Sequence, residues 1–156
     1  MTDALGLVVN PIAGRGRAGR LTDRMHAALT EGGRRVHIVS EAGPEATADA
    51  TRELLASGVE AVVGLGGDGL AHLLLQIVAE TSVPLGLIPA GTGNDLAVSL
   101  QIPSDPLAAV RVVLAGHTRP IDAVRTGDRW WASVLCAGFD SAINERVNRM
   151  RWPRGP

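Results

Sequence analysis

The stretch Ala61-Val62-Val63-Gly64-Leu65-Gly66-Gly67-Asp68-Gly69 passes from an apolar run into a glycine-rich turn, and a helical pattern begins at Leu70. The same order returns in Leu85-Gly86-Leu87-Ile88-Pro89-Ala90-Gly91-Thr92-Gly93-Asn94-Asp95. Glycines at a strand-to-helix turn let the backbone bend, through a positive φ if needed, and come close to a ligand. The N–H groups that open the next helix carry partial positive charge suited to phosphate oxygens. Two such loops in one short chain predict a phosphate site and point to a nucleotide. Each loop also carries an aspartate, Asp68 or Asp95. A carboxylate beside a polyphosphate is unfavourable by itself but reasonable with Mg2+, which takes oxygen ligands from a few carboxylates, waters and substrate phosphates.

Working outward, Leu5 to Val9 is an apolar run of strand length, followed by a Pro/Gly/Arg loop, Pro11 to Gly19, and then Leu21, Met25, Ala28 and Leu29 at helical spacing. Val36 to Val39 reads as a second strand, and Gly43-Pro44 opens a helix that Gly58 closes. Strands over Ala61 to Leu65 and Leu85 to Ile88 precede the two glycine loops, and a short helix follows Asn94. Asp105-Pro106 supplies an N-cap and first-turn proline for Leu107 to Leu114, and Gly116 stops that helix. Strands apolar on both faces, alternating with helices, imply a parallel sheet covered by helices. Near residue 120 the grammar changes: Ile121-Asp122-Ala123-Val124, a Thr126-Gly127-Asp128 turn and a β-rich run from Trp130 to Phe139 predict a hairpin. The run Arg149 to Pro156 is no natural domain end, so the chain is expected to be a fragment.

Composition narrows the function. At 156 residues and 46% apolar the chain can bury a full core. A net charge of −1 gives no footprint for a nucleic-acid partner. All 15 basic residues are Arg, which excludes a Walker A loop and any lysine nucleophile. Cys136 stands alone in an apolar run and reads as a buried small hydrophobe, consistent with a reducing cytoplasm. No signal peptide or membrane-spanning stretch is visible, so the chain is expected to be cytoplasmic and not membrane-inserted.

Three elements in order, Asn10-Pro11-Ile12-Ala13-Gly14, Gly66-Gly67-Asp68-Gly69 and Pro89 to Asp95, resemble the catalytic domain of the diacylglycerol kinase and sphingosine kinase superfamily, including the bacterial soluble lipid kinases. Ile121-Asp122 and Gly138-Phe139-Asp140 also fit its pattern. Leu70, Leu73 and Ala13 stand where that family usually has Thr, Glu and Ser. The resemblance implies a Rossmann-like, three-layer α/β domain similar to phosphofructokinases and NAD kinases, over residues 1–120, and the beginning of a truncated β-sandwich over 121–156. It implies ATP and Mg2+ as cofactors and a lipid alcohol at the membrane surface as acceptor, with peripheral membrane association.

Carried over, Asn10, Pro11, Gly14, Gly66, Gly67, Asp68 and Gly69 would line the ATP pocket, with Gly91, Thr92, Gly93 and Asn94 holding phosphate and ribose groups. Asp68 would be the catalytic carboxylate, and with Asp95 and Asp122 would form the network around Mg2+. Plainer roles stay open: a first-turn helix carboxylate for Asp95, a turn residue for Asp122, a solvated loop for Arg15, Arg17 and Arg20, and a polar helix-face residue for His72. Trp130, Trp131 and Trp152 are read as core or interdomain packing. Without its second domain the chain is expected to be inactive, and its uncovered hairpin, including Trp130 or Trp131, to be poorly ordered or to support a homodimer. An NAD kinase is the rival enzyme, and a nucleotide-binding module without activity is the rival from another class.

Overall fold

In the computed structural model, which describes residues 4–132, strands β1 (Ala4–Val9), β2 (Arg35–Val39), β3 (Ala61–Gly66) and β4 (Leu85–Pro89) form one sheet in the order β2-β1-β3-β4. All three pairings are parallel, and Leu7 lies opposite Ile38 on one side and Val63 on the other. Strand alternation divides the apolar residues between two faces. Leu5, Leu7 and Val9 of β1, with Val63 and Leu65 of β3, face Ala18, Met25 and Leu29 of α1 (Ala13–Glu31) and Ala109 and Val110 of α5 (Pro106–Ala115). Ala4, Val8 and Val62 face Leu54 of α2 (Pro44–Ala56) and Leu70, Leu74 and Val78 of α3 (Asp68–Val78). Two cores on opposite faces of one sheet make the three layers, and they explain why the strand sequences are apolar throughout.

Local chemistry fixes the ends. The Asp105 carboxylate accepts from the Ala108 N–H at 2.8 Å beside Pro106, and Gly116 closes α5 in the left-handed region. The first helix departs from expectation at its start, which lies inside the predicted Pro11 to Gly19 loop. Gly14, Arg15 and Gly16 hold left-handed dihedrals, so regular right-handed helix begins at Arg17. Burial of Ala18 in the core and a bond from the Gly19 N–H to the Pro11 carbonyl (3.2 Å) draw the last residues of that loop into the helix.

After α4 (Asp95–Ser99) and α5, strands β5 (Val124–Thr126) and β6 (Arg129–Trp131) pair antiparallel across Gly127-Asp128. They form a separate sheet, and Ile121 to Ala123 stay outside the strand. Trp130 and Trp131 are half-buried. Cys136, Gly138, Phe139, Asp140, Trp152 and the run to Pro156 lie outside the described residues. No helix among the described residues is long and apolar enough to cross a membrane.

Candidate functional site

Strand order reverses at β1 and β3: the chain leaves β1 for β2 on one side and returns to β3 on the other. Ligands of open α/β sheets bind beyond the carboxyl ends of the strands at such a switch point. The loops after β1, β3 and β4 leave that edge side by side. The Asn10 N–H donates to the Leu65 carbonyl (3.1 Å), and the Ala90 N–H donates to the Gly66 carbonyl (2.8 Å). A Cβ on Gly91 would stand 2.5 Å from the Cα of Gly67, so these two glycines let the loops cross backbone to backbone. Gly14 has a φ of +57°, and a Cβ there would meet the Ala90 carbonyl oxygen at 2.1 Å. All three sequence motifs therefore converge.

The individual glycines serve different needs. None of Gly66, Gly67, Gly69, Gly91 and Gly93 has a positive φ, so the strained-turn reason applies only to the first loop, at Gly14 and Gly16. Gly69, in the first turn of α3, has nothing within 4 Å of the point where a methyl would stand: it faces open space at a helix N-terminus. Pro11, Thr92 and Gly93 are exposed on the loop tips. Arg15 holds a left-handed φ of 58°, and its carbonyl accepts from Nη1 of Arg20 at 3.3 Å.

Asp68 joins the second loop to the third. Its Oδ2 accepts from the Asn94 N–H (2.6 Å) and its Oδ1 from the Leu96 N–H (3.2 Å), satisfying donors at the start of α4. Asn94 takes the left-handed conformation (φ 63°, ψ 39°) at the N-cap of α4. Its Oδ1 accepts from the Gly91 N–H (2.9 Å) and its Nδ2 donates to the Gly91 carbonyl (3.0 Å), so this amide is engaged within the loop. Gly93 lies between two carboxylates: a Cβ there would be 2.9 Å from Asp68 Oδ2 and 3.5 Å from Asp95 Oδ1. Asp122 is exposed ahead of β5, and no group of three or more His, Cys, Asp or Glu residues able to hold a metal forms among the described residues.

The space beneath the loops, between Gly66, Gly67, Asp68, Leu70 and Asn94, is about 10 Å³, room for no more than one water. The outer face of the loops, where Gly69, Thr92 and Gly93 are exposed, is an open shelf. A cleft of about 670 Å³ lies elsewhere, along the open edge of β4 beside Leu85, Val113 and Ile121.

Helix α3 also carries what sequence reasoning missed. Asp68, His72 and Gln76 recur every fourth residue in an otherwise apolar helix, the signal that could have shown a shared polar face. His72 lies 4.7 Å, centroid to centroid, from the Trp131 ring. Burial, and then the Arg129 charge, hold the His72 pKa below its ordinary value. Gln76 bonds the Trp130 backbone at both its N–H and its carbonyl. Trp130 in turn carries the Arg125 guanidinium 5.5 Å from its ring centroid.

Residues 4–126 match the family model of the diacylglycerol kinase catalytic domain. The chain belongs to that family. It is 42% identical over 158 residues to a diacylglycerol kinase of Mycobacterium tuberculosis, an alignment covering 95% of this chain and 50% of that protein. To a Xanthomonas campestris protein named "Probable lipid kinase YegS-like" it is 39% identical over 103 residues, 58% of this chain and 33% of the relative. The crystal structure of a diacylglycerol kinase from Bacillus anthracis superposes with a TM-score of 0.72 at 25% identity, covering 82% of this chain and 45% of that one. The chain thus spans about half the length of the first of these relatives.

Proposed function

We propose that this chain is the nucleotide-binding half of an ATP-dependent lipid kinase that transfers the γ-phosphoryl group to a hydroxyl of diacylglycerol or a related lipid. The observation that carries this is the convergence of three glycine loops at the switch point, with the Gly67–Gly91 crossing and the Asp68 bonds joining two of them. The new bond forms between the lipid oxygen and phosphorus, the β–γ bridging bond breaks to release ADP, and the hydroxyl proton is released to solvent. Catalysis of this kind is chiefly positioning and charge neutralisation.

The N-terminus of α3, with Gly69 giving close access, presents backbone N–H groups to phosphate oxygens. Arg15 and Arg17 add positive charge from the first loop. The residues fit Mg2+ in the form that takes one or two carboxylates with waters and phosphates: Asp68 and Asp95, which flank Gly93, would hold it. When bound, the ion would neutralise charge on the phosphates. The acceptor side of the cleft and the second, β-sandwich domain belong to this reading as expectations for the longer protein.

Calorimetric titration with ATP, with and without Mg2+, tests it. The wild-type chain is expected to bind ATP more tightly with the ion, and Asp68→Asn to lose most of that increment. No binding under either condition would sink the proposal.

A further inference from the structure

We propose that Gln76 is a positioning residue: its side-chain amide stands in for a neighbouring β-strand and fixes the β5–β6 hairpin to α3, in a set relation to the phosphate loops. The function of this relation, holding the acceptor side over the nucleotide, rests on the lipid kinase reading above.

Across a two-residue turn, the closing pair Thr126–Arg129 exchanges ladder bonds, so the next pair, Arg125–Trp130, directs its backbone groups outward. The N–H and C=O of Trp130 thus lie on the outer edge of β6, where a sheet would ordinarily take another strand. Gln76 occupies that position. Its Oε1 accepts from the Trp130 N–H at 2.9 Å and its Nε2 donates to the Trp130 carbonyl at 2.8 Å, the two bonds a strand peptide would make. Nε2 also donates to the His72 carbonyl at 3.0 Å, which holds the amide at the angle required. One turn earlier His72 packs on the Trp131 ring, and one turn before that Asp68 binds the third loop. A single helix face therefore fixes the phosphate loop at one end and the hairpin at the other. Trp131 Nε1 is buried with no hydrogen-bond acceptor among the described residues.

The test uses the 156-residue chain with Gln76→Leu, which fills the same space without hydrogen bonds, and Gln76→Glu, which retains only the acceptor. Amide exchange by NMR reads the Trp130 N–H directly. Spin labels at Asp128→Cys on the hairpin turn and Glu53→Cys on α2, in a Cys136→Ser background, read the hairpin's position. Trp130 exchange is expected to rise about tenfold in Gln76→Leu and by less in Gln76→Glu, while β1 and β3 amides change less than about twofold. The interlabel distance distribution should be narrow in the wild type, broad with Leu and intermediate with Glu. Wild-type protection and a narrow distribution in Gln76→Leu would overturn the role. ATP titration on the same samples separates the two ideas. Failure of the wild type to bind ATP would remove the nucleotide reading and leave the Gln76 result to be judged by exchange and distance alone.

Discussion

Gly69→Ala separates a glycine kept for the fold from one kept for a ligand. Position 69 lies in α3 at a negative φ, with open space where a methyl would go, so nothing in the protein resists the substitution. Alanine removes backbone freedom from the unfolded chain, a gain of about 0.5 kcal/mol. For a chain of this length that raises the melting temperature by about 1–2 °C. The proposed ligand pays the cost. A methyl at the N-terminus of α3 would hold a phosphate oxygen off the backbone N–H groups and so lose about one charge-assisted hydrogen bond, about 1.5–3 kcal/mol. That corresponds to roughly a tenfold to hundredfold weaker ATP dissociation constant. Thermal melting without ligand and calorimetry with MgATP measure the two effects on one variant. A more stable protein with unchanged ATP affinity would show that no phosphate approaches the start of α3, and the site would have to move off this shelf.

Gly91→Ala should behave in the opposite way, because its methyl meets the Gly67 backbone. A cost of about 1–3 kcal/mol and a melting temperature lower by about 2–12 °C are expected, and an unperturbed melt would mean the loops separate freely. Arg15→Gly should relieve the left-handed strain at φ 58° and stabilise the fold by about 0.5 kcal/mol. It should weaken ATP binding severalfold by removing a cation; equal affinity in calorimetry would assign Arg15 to the surface. His72 has a folded pKa depressed below 6.5 by burial and then by Arg129. The unfolded chain therefore takes up the proton first, so its contribution is complete above pH 6.5 and is lost as pH falls through the folded value. Melting temperature against pH should show this fall in the wild type, and His72→Gln should flatten it; identical profiles would remove His72 from the hairpin contact.

The glycine loops, the strand and helix succession, the Asp105-Pro106 cap and the hairpin are legible in sequence because each depends on neighbours along the chain. Sheet order is not, since apolar runs such as Leu5–Val9 and Ala61–Leu65 specify burial on two faces without naming a partner. The start of α1 escapes for a related reason. Gly14, Arg15 and Gly16 keep non-helical dihedrals, and it is the burial of Ala18 against the sheet that draws the following residues, which also look like a loop, into the helix.

At the site, sequence reading does not reveal which atoms of the recognised residues face the ligand and which face the protein. Asp68 and Asn94 read from sequence as ligand contacts, yet both carboxylate oxygens of Asp68 accept backbone N–H groups and both ends of the Asn94 amide bind Gly91. A phosphate shelf made of backbone N–H groups must be rigid before the ligand arrives, because reorienting those dipoles during reaction would cost the stabilisation they supply. Side chains that hold the backbone in place are therefore as necessary to such a site as any that touch phosphate. That is a physical reason for Asp and Asn to recur between the glycines, and it separates the roles by experiment. Asp68→Asn keeps one acceptor but sets an amide donor against a backbone N–H, so it should lower the melting temperature even without nucleotide. A residue serving the metal alone would leave the ligand-free melt unchanged. A wild-type melt together with a lost Mg2+ increment would therefore remove the structural half of the assignment, leaving Asp68 to serve the ion alone.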